Sequence, residues 1–264
     1  MIILKTPEQI DKMLRAGRVL AEVIDEISAA VAPGVSLKEL DEIAERSIRL
    51  RGATPSFLGY RGFPGSICAS PNEVVVHGIP GDQVLEEGDI FSADCGLILD
   101  GWHADRAVTL PVGEIDPEAA DLLRVTQDSL YAGIENMRPG KRLGDVSSAI
   151  QKVIEAAGMA VVREFAGHQI GQQMHEGDVQ LPNYGPAGKG PVLEPGMVFA
   201  IEPMVNLGDH RTILLDDGWT VVTFDGSLSA HFEHTVAVTP AGPLVLTEGV
   251  EKAATAASGE AVGA

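Results

Sequence analysis

Asp89-Ile90-Phe91-Ser92-Ala93-Asp94-Cys95-Gly96-Leu97-Ile98-Leu99-Asp100-Gly101-Trp102-His103-Ala104-Asp105 is the stretch that decides the fold. Two apolar runs flank Asp100-Gly101, a pair suited to the two-residue type I′ turn because both central residues need positive φ. With that pair as the loop, Leu99 stands opposite Trp102 and Asp105 opposite Gly96. Side chains alternate along a strand, so Asp94 shares a face with Asp105 while Cys95 points the other way. The two carboxylates become diagonal cross-strand neighbours, and bare like charges so placed repel. A solvated sheet face is the plain reading of two aspartates on a hairpin. The apolar flanks Ile90, Phe91, Leu97, Ile98 and Leu99 argue instead for a deep hairpin, where facing carboxylates call for a cation.

The hairpin sits inside a repeat. Thr6-Pro7-Glu8-Gln9 has the form of a capped helix start, followed by an apolar stripe from Ile10 to Ile27 and a stop at Pro33-Gly34. Ser36-Leu37-Lys38-Glu39 opens a second helix carrying Leu40, Ile43, Ala44 and Ile48, which ends near Gly52. Asp116-Pro117 opens a third, running to about Met137, and a fourth carries Leu143, Val146, Ile150 and Ile154 to Gly158. Pro33-Gly34 through Gly52 and Pro139-Gly140 through Gly158 superpose at a constant offset of 106 residues. The period is too long and the copies too few for a solenoid. The pattern predicts an α+β fold of two related halves, each with two helices and antiparallel strands.

The later strands are expected at Met197–Ile201, Thr212–Leu215, Trp219–Phe224 and His231–Val238, with turns at Asp217-Gly218 and Asp225-Gly226. Two acids interrupt them, Glu202 and Glu233, and Glu202 lies near the place the offset gives Asp94. A single domain spanning 1–250 follows, with halves of about 1–112 and 113–250. The Ala- and Gly-rich stretch 251–264 reads as a frayed tail.

With 264 residues the chain has ample core, and its net charge of −19 argues against a general nucleic-acid or membrane-surface binder. Cys68 and Cys95 are the only cysteines and lack metal-ligand spacing, which reads as two free thiols in a reducing compartment. No apolar run approaches the ~20 residues of a membrane helix, and the start shows no signal-peptide pattern, so a cytoplasmic protein is expected.

The histidines differ in context. His103, His210, His231 and His234 read as ordinary polar or hydrogen-bonded side chains. His168 and His175 lie seven apart, a spacing open to two turns of a surface helix, yet Gly167 and Gly171 bracket His168 and suggest backbone held close to something. His77 ends the apolar run Val74-Val75-Val76 at a turn.

Gly62-Phe63-Pro64, Asn72 through Pro80, Asp94 with Asp105, Gly167-His168, His175-Glu176, Gly196 through Pro203 and Phe232-Glu233-His234-Thr235 together resemble the type I methionine aminopeptidase family, in its order and over most of residues 1–245. The resemblance implies the pita-bread fold around a central metal site. It implies that Asp94, Asp105, His168, Glu202 and Glu233 hold two divalent ions, with Asp105 and Glu233 bridging. Such a mostly oxygen-donor set suits Co²⁺, Mn²⁺ or Fe²⁺. It places a monovalent cation near Asn72, Val74 and Ser229. Its activity is removal of the N-terminal methionine from nascent proteins and peptides with a small second residue, by a hydroxide shared between the ions. Glu202 is implied as the proton carrier, His175 as the oxyanion donor and His77 as a contact to the next amide. Phe57, Tyr60, Phe63, Cys68 and Trp219 match the methionine pocket, where aromatic edges favour a thioether.

Three departures from the pattern stand out. Gln169 follows His168 where the family has Gly, Met174 replaces an aromatic residue, and the segment Gly177–Pro182 is one residue longer. Only 26 residues separate His175 from Glu202, which favours type I over type II. Proline-specific dipeptidases and aminopeptidase P are rival readings, but they carry an extra N-terminal domain. A catalytically dead binding module is another, but all five ligands are present. Nascent chains are the implied partners, with a ribosome contact left open, no DNA, no membrane, and a monomer expected.

Overall fold

The structure is a computed structural model, described over residues 2–249; the tail expected at 251–264 lies outside the described residues. In chain order the first elements are α1 (Pro7–Ala30), α2 (Leu37–Leu50), β1 (Thr54–Pro55), β2 (Ile67–Pro71), β3 (Val74–Val76), β4 (Ile90–Leu99) and β5 (Trp102–Pro111). There follow α3 (Pro117–Glu135), α4 (Leu143–Ala156), β6 (Ala160–Val161), β7 (Ala166–Gln169), β8 (Glu176–Pro182) and β9 (Val198–Ile201). The last are β10 (Met204–Asn206), β11 (Thr212–Leu214), β12 (Val221–Thr223), β13 (Ser229–His231), β14 (His234–Thr239) and β15 (Gly242–Val245). All strand pairs are antiparallel.

The helices begin where their caps allow. Thr6 Oγ1 accepts from Gln9 N at 3.3 Å while Gln9 Oε1 accepts from Thr6 N at 2.9 Å. Ser36 and Glu39 repeat the device on α2. Asp116 stands at the start of α3, but its side chain makes no cap bond, and Pro117 alone supplies the start. On α4 the Asp145 carboxylate accepts from Arg142 N at 2.8 Å. The helix α1 lays Leu20, Val23, Ile24 and Ile27 over the β4–β5 hairpin. Gly17 permits a closer approach on the same helix, since a Cβ there would fall 2.0 Å from Leu246 O. The pair α3–α4 buries Leu122, Leu130, Val146, Ile150 and Ile154 with Phe199, Ile201, Val205 and Val236.

The hairpin has the expected register: Leu99 pairs with Trp102 and Gly96 with Asp105. Asp100 and Gly101 have φ of 50° and 79°, as a type I′ turn requires. Cys95 lies in the core under α1 and α2, on the face away from Asp94. The sheet places β5 on one side of β4 and both β2 and β1 on the other.

The second half departs from the expected strands. His231–Val238 is two strands in different sheets, β13 beside β10 and β14 beside β9. The break falls at Phe232–Glu233 because Glu233 N donates to Ala107 O on β5, at 2.9 Å, rather than to a neighbour in either sheet. The strand expected from Trp219 starts only at Val221, because Asp217 Oδ1 accepts from both Trp219 N and Thr220 N. Two short strands, β10 and β15, carry too few residues to show a pattern in sequence.

Side-chain hydroxyls close the seam between β5 and the Glu233 segment. Thr235 Oγ1 accepts from Asp105 N at 3.1 Å and donates to Asp105 O at 2.9 Å. Thr109 Oγ1 does the same for His231, accepting from its N at 2.9 Å and donating to its O at 2.8 Å. Each half thus lends one threonine to the other, with Ala107 and Glu233 paired between them. Replacing Thr235 with Val keeps the shape but strands two buried main-chain groups of Asp105. We expect Thr235→Val to lower unfolding free energy by about 1–3 kcal/mol, read from the urea midpoint of metal-free protein; an unchanged midpoint refutes the role.

Candidate metal centre

Five side chains converge beneath the seam. Asp94 comes from β4, Asp105 from β5 and His168 from β7. Glu202 directly follows β9, and Glu233 sits in the link between β13 and β14. Ligand atoms of Asp105, His168 and Glu233 lie within 4.8 Å of one another. His168 Nε2 is 3.7 Å from Glu202 Oε1 and 3.8 Å from Asp105 Oδ2. The other ring nitrogen, Nδ1, stands 3.1 Å from Gln169 O, an acceptor only, so Nδ1 carries the proton. The lone pair of Nε2 therefore points toward the Asp105 and Glu202 carboxyl groups.

That arrangement has the donor chemistry of a candidate cation site. Asp94 Oδ1, Asp105 Oδ1, Glu202 Oε1 and Glu233 Oε1 are all buried without a hydrogen-bond partner. Burial, and then the neighbouring carboxylates, push Asp105, Glu202 and Glu233 well above the usual carboxylate range. Burial raises Asp94 to about 7, against the hydrogen bond from Cys68. Burial also lowers His168 to about 3, with His175 adding to it. A neutral imidazole among acceptors, with four acids reluctant to ionise, is the state that a divalent cation relieves.

Above the acids opens a cavity of about 500 Å³. All five residues expected in the methionine pocket line it: Phe57, Tyr60, Phe63, Cys68 and Trp219. Phe63 and Trp219 meet edge to face with centroids 5.1 Å apart. His77 also lines the cavity, held at φ 60°, a left-handed conformation costly for a non-glycine residue. Gly78 makes this possible by lying so close to Ala69 that a Cβ would fall 2.1 Å from its carbonyl oxygen. His175 stands at the mouth, its ring centroid 4.0 Å from that of His168 and its Nδ1 3.0 Å from Tyr60 Oη. Neither histidine is on a helix; the seven-residue spacing spans a strand end and a turn.

Some residues of this site were not foreseen in the sequence. Phe165 lines the cavity and packs edge-on against His77, with centroids 5.5 Å apart. Its nearness to Gly167-His168 is the signal that could have flagged it. His231 is not an ordinary hydrogen-bonded histidine: its Nε2 is buried without a hydrogen-bond partner, 3.8 Å from Glu233 Oε2. By contrast His103 meets Ser56 and His234 meets Thr247, both at 2.9 Å, as expected. Asn72 and Ser229 are neighbours, with Ser229 N donating to Asn72 O at 2.9 Å. No helix among the described residues is long and apolar enough to cross a membrane.

Antiparallel strands that bring four acids and an imidazole to the floor of an apolar pocket define a metallopeptidase of the pita-bread class. The family model for metallopeptidase family M24 matches residues 11–240. Methionine aminopeptidase 1 of Bacillus subtilis is 54% identical over 247 residues, covering 94% of this chain and 99% of that protein. A crystal structure of methionine aminopeptidase from Rickettsia prowazekii superposes with a TM-score of 0.92 at 44% identity, covering 94% of this chain and all of that one. A prolidase from Pyrococcus furiosus shares the fold, with a TM-score of 0.76 at 21% identity, this chain spanning 65% of its length. The chain belongs to metallopeptidase family M24, and within it to the methionine aminopeptidases.

The raised carboxylates set a pH dependence. A group whose pKa is higher folded than unfolded stabilises the fold at low pH and loses that contribution as pH rises through the folded value. Buried histidines act oppositely as pH falls through their ordinary value of 6.5. Above about pH 7.5 the unfolded chain's histidines are neutral too, the acids dominate, and we expect chelated protein to lose thermal stability from there to about pH 8.5. Added divalent cation should restore more at the upper end. A flat thermal midpoint for the chelated protein over that range excludes this.

Proposed function

We propose that the protein removes the N-terminal methionine from nascent proteins and peptides whose second residue is small. The observation that carries this is the set of four orphaned buried carboxylate oxygens beneath a cavity walled by Phe57, Tyr60, Phe63 and Trp219. Asp94, Asp105, His168, Glu202 and Glu233 would hold the divalent ions of this reading. Such ions polarise the scissile carbonyl and acidify water. The donor set favours Co²⁺, Mn²⁺ or Fe²⁺ without choosing among them.

The protein's own groups do the rest. Phe57, Phe63, Cys68 and Trp219 receive the methionine side chain, and the acids attract the free α-amine. Glu202 takes a proton from water and returns it to the leaving amine. His175, aligned by the Tyr60 hydroxyl, donates to the oxygen that becomes negative, and His77 contacts the amide nitrogen of the following residue. His77 and Tyr60 crowd the second side chain, the source of the preference for small residues. The free termini of chains leaving the ribosome in the cytoplasm are the natural substrates of such a site.

Chelated and then metal-repleted protein should release methionine from Met-Ala-Ser far faster than from Met-Leu-Ser. Equal turnover of the two, or better cleavage of X-Pro peptides, overturns the assignment.

His168 and His175, seven residues apart, should separate by role. His168→Ala should weaken metal binding and lose activity for that reason. His175→Ala should keep its metal and lose roughly 10²–10³ in kcat, with KM changed less. Calorimetric metal titration beside the kinetics decides it, and the reverse pattern means the two roles are exchanged.

A further inference from the structure

His175 stands at the end of a turn, Ile170–His175, that follows β7 and leads into β8. Gly171 N donates to Gln173 O at 3.1 Å, and His103 N donates to Gly171 O at 2.8 Å. Tyr60 Oη meets His175 Nδ1, and Ile170 and Met174 are buried in one apolar cluster with Phe57 and Trp102. The middle of the turn is held through Glu176, the residue after His175. Its Oε1 accepts from Gln172 N at 2.6 Å and from Gln173 N at 3.3 Å. Its Oε2 meets Lys5 Nζ in an ion pair whose side chains are 2% and 6% exposed, Lys5 first.

Lys5 belongs to an arm that reaches the centre from the start of the chain. Lys5 N donates to Gly196 O at 2.7 Å, and Ile3 N donates to Gln169 Oε1 at 2.9 Å. Gln169 is buried and adjoins His168, whose ring meets the Gln169 carbonyl. The arm Ile3–Lys5 thus touches the flank of both histidines, His168 through Gln169 and His175 through Glu176. Contact is close: a Cβ at Gly171 would fall 2.5 Å from Glu176 Oε1 and 2.6 Å from Lys5 Cε.

A buried ion pair is weak evidence of net stability, because desolvation offsets its attraction. What the pair does here is fix the Glu176 carboxylate, which in turn holds the main-chain N–H groups of Gln172 and Gln173. We propose that Lys5 is a positioning residue for His175, acting through Glu176 to hold the turn 170–176 in register with the acids. The proposal rests on the reading of His175 given above. Misplacement of such a donor by about 1 Å can cost on the order of 10²-fold in rate.

The test compares Lys5→Met, which removes the charge and keeps the stem, with Lys5→Arg, which restores it. Lys5→Met should lose about 10- to 100-fold in kcat on Met-Ala-Ser with KM changed by less than about threefold. Its calorimetric metal affinity should match the wild type. Amide exchange should speed up at residues 170–176 and stay unchanged in the β4–β5 hairpin. Lys5→Arg should regain part of kcat. A folded Lys5→Met with kcat within about twofold of wild type, or a loss that tracks metal loss, overturns the proposal. If Lys5→Met does not fold, Lys5→Gln takes its place; if neither folds, the pair is structural and the proposal falls. Should the wild type release no methionine, the functional reading fails by itself. Amide exchange at 170–176 then still decides whether Lys5 holds the turn: faster exchange in the variant supports it, unchanged exchange refutes it.

Discussion

Four carboxylates converge where their charges cannot all be tolerated, and the scaffold is arranged to hold them there. Left alone, strands carrying Asp94, Asp105, Glu202 and Glu233 would relieve the repulsion by moving apart. They do not, because each acid sits on main chain that is tied on its other side. Asp105 is gripped by Thr235, and Glu233 is anchored through its N–H to Ala107. The helices α1 and α2 back the hairpin, and α3 and α4 back β9 and β14. Hydrophobic packing of these layers keeps the acids facing one another, where protonation or a bound cation offsets their charge.

Selectivity and chemistry then occupy different depths of one cavity. The floor is acidic, while the wall of Phe57, Phe63, Cys68 and Trp219 is apolar; in the proposed function the first takes the reacting amide and the second the side chain. Between them stand His77 and His175, which come from elements on opposite sides of the chain's midpoint. The left-handed backbone at His77 is strain of about 1–3 kcal/mol concentrated at a functional position, and it is sustained by the tight approach of Gly78 to Ala69.

How much of this could be read in the sequence follows from distance along the chain. The Asp100-Gly101 turn and the alternation beside it gave the hairpin register without outside help, and the capping residues Thr6, Ser36 and their partners marked helix starts. The 106-residue offset predicts two related halves. The ligand set needed the family's motif order, since nothing local says that His168 and Glu233 meet. The seam was hidden for a physical reason: Thr235 and Asp105 are 130 residues apart, and Thr109 and His231 122 apart. Lys5 and Glu176, 171 residues apart, were equally invisible. The break at Phe232–Glu233 leaves no mark in the apolar pattern, because it is made by Glu233 N reaching Ala107 O on β5, more than a hundred residues away.

The division of the acids between the halves has a bearing on the life of the protein in the cell. Asp94 and Asp105 come from the first half, and His168, Glu202 and Glu233 from the second. A cation shared among them is therefore a tether between distant parts of the chain, absent from the unfolded state. Ligand held at about a hundred times its Kd adds about 2.7 kcal/mol to folding. Metal scarcity would then do more than idle the site. By enlarging the population of open chains that proteases attack, it would shorten the protein's half-life, so that metal supply sets the amount of protein as well as its activity.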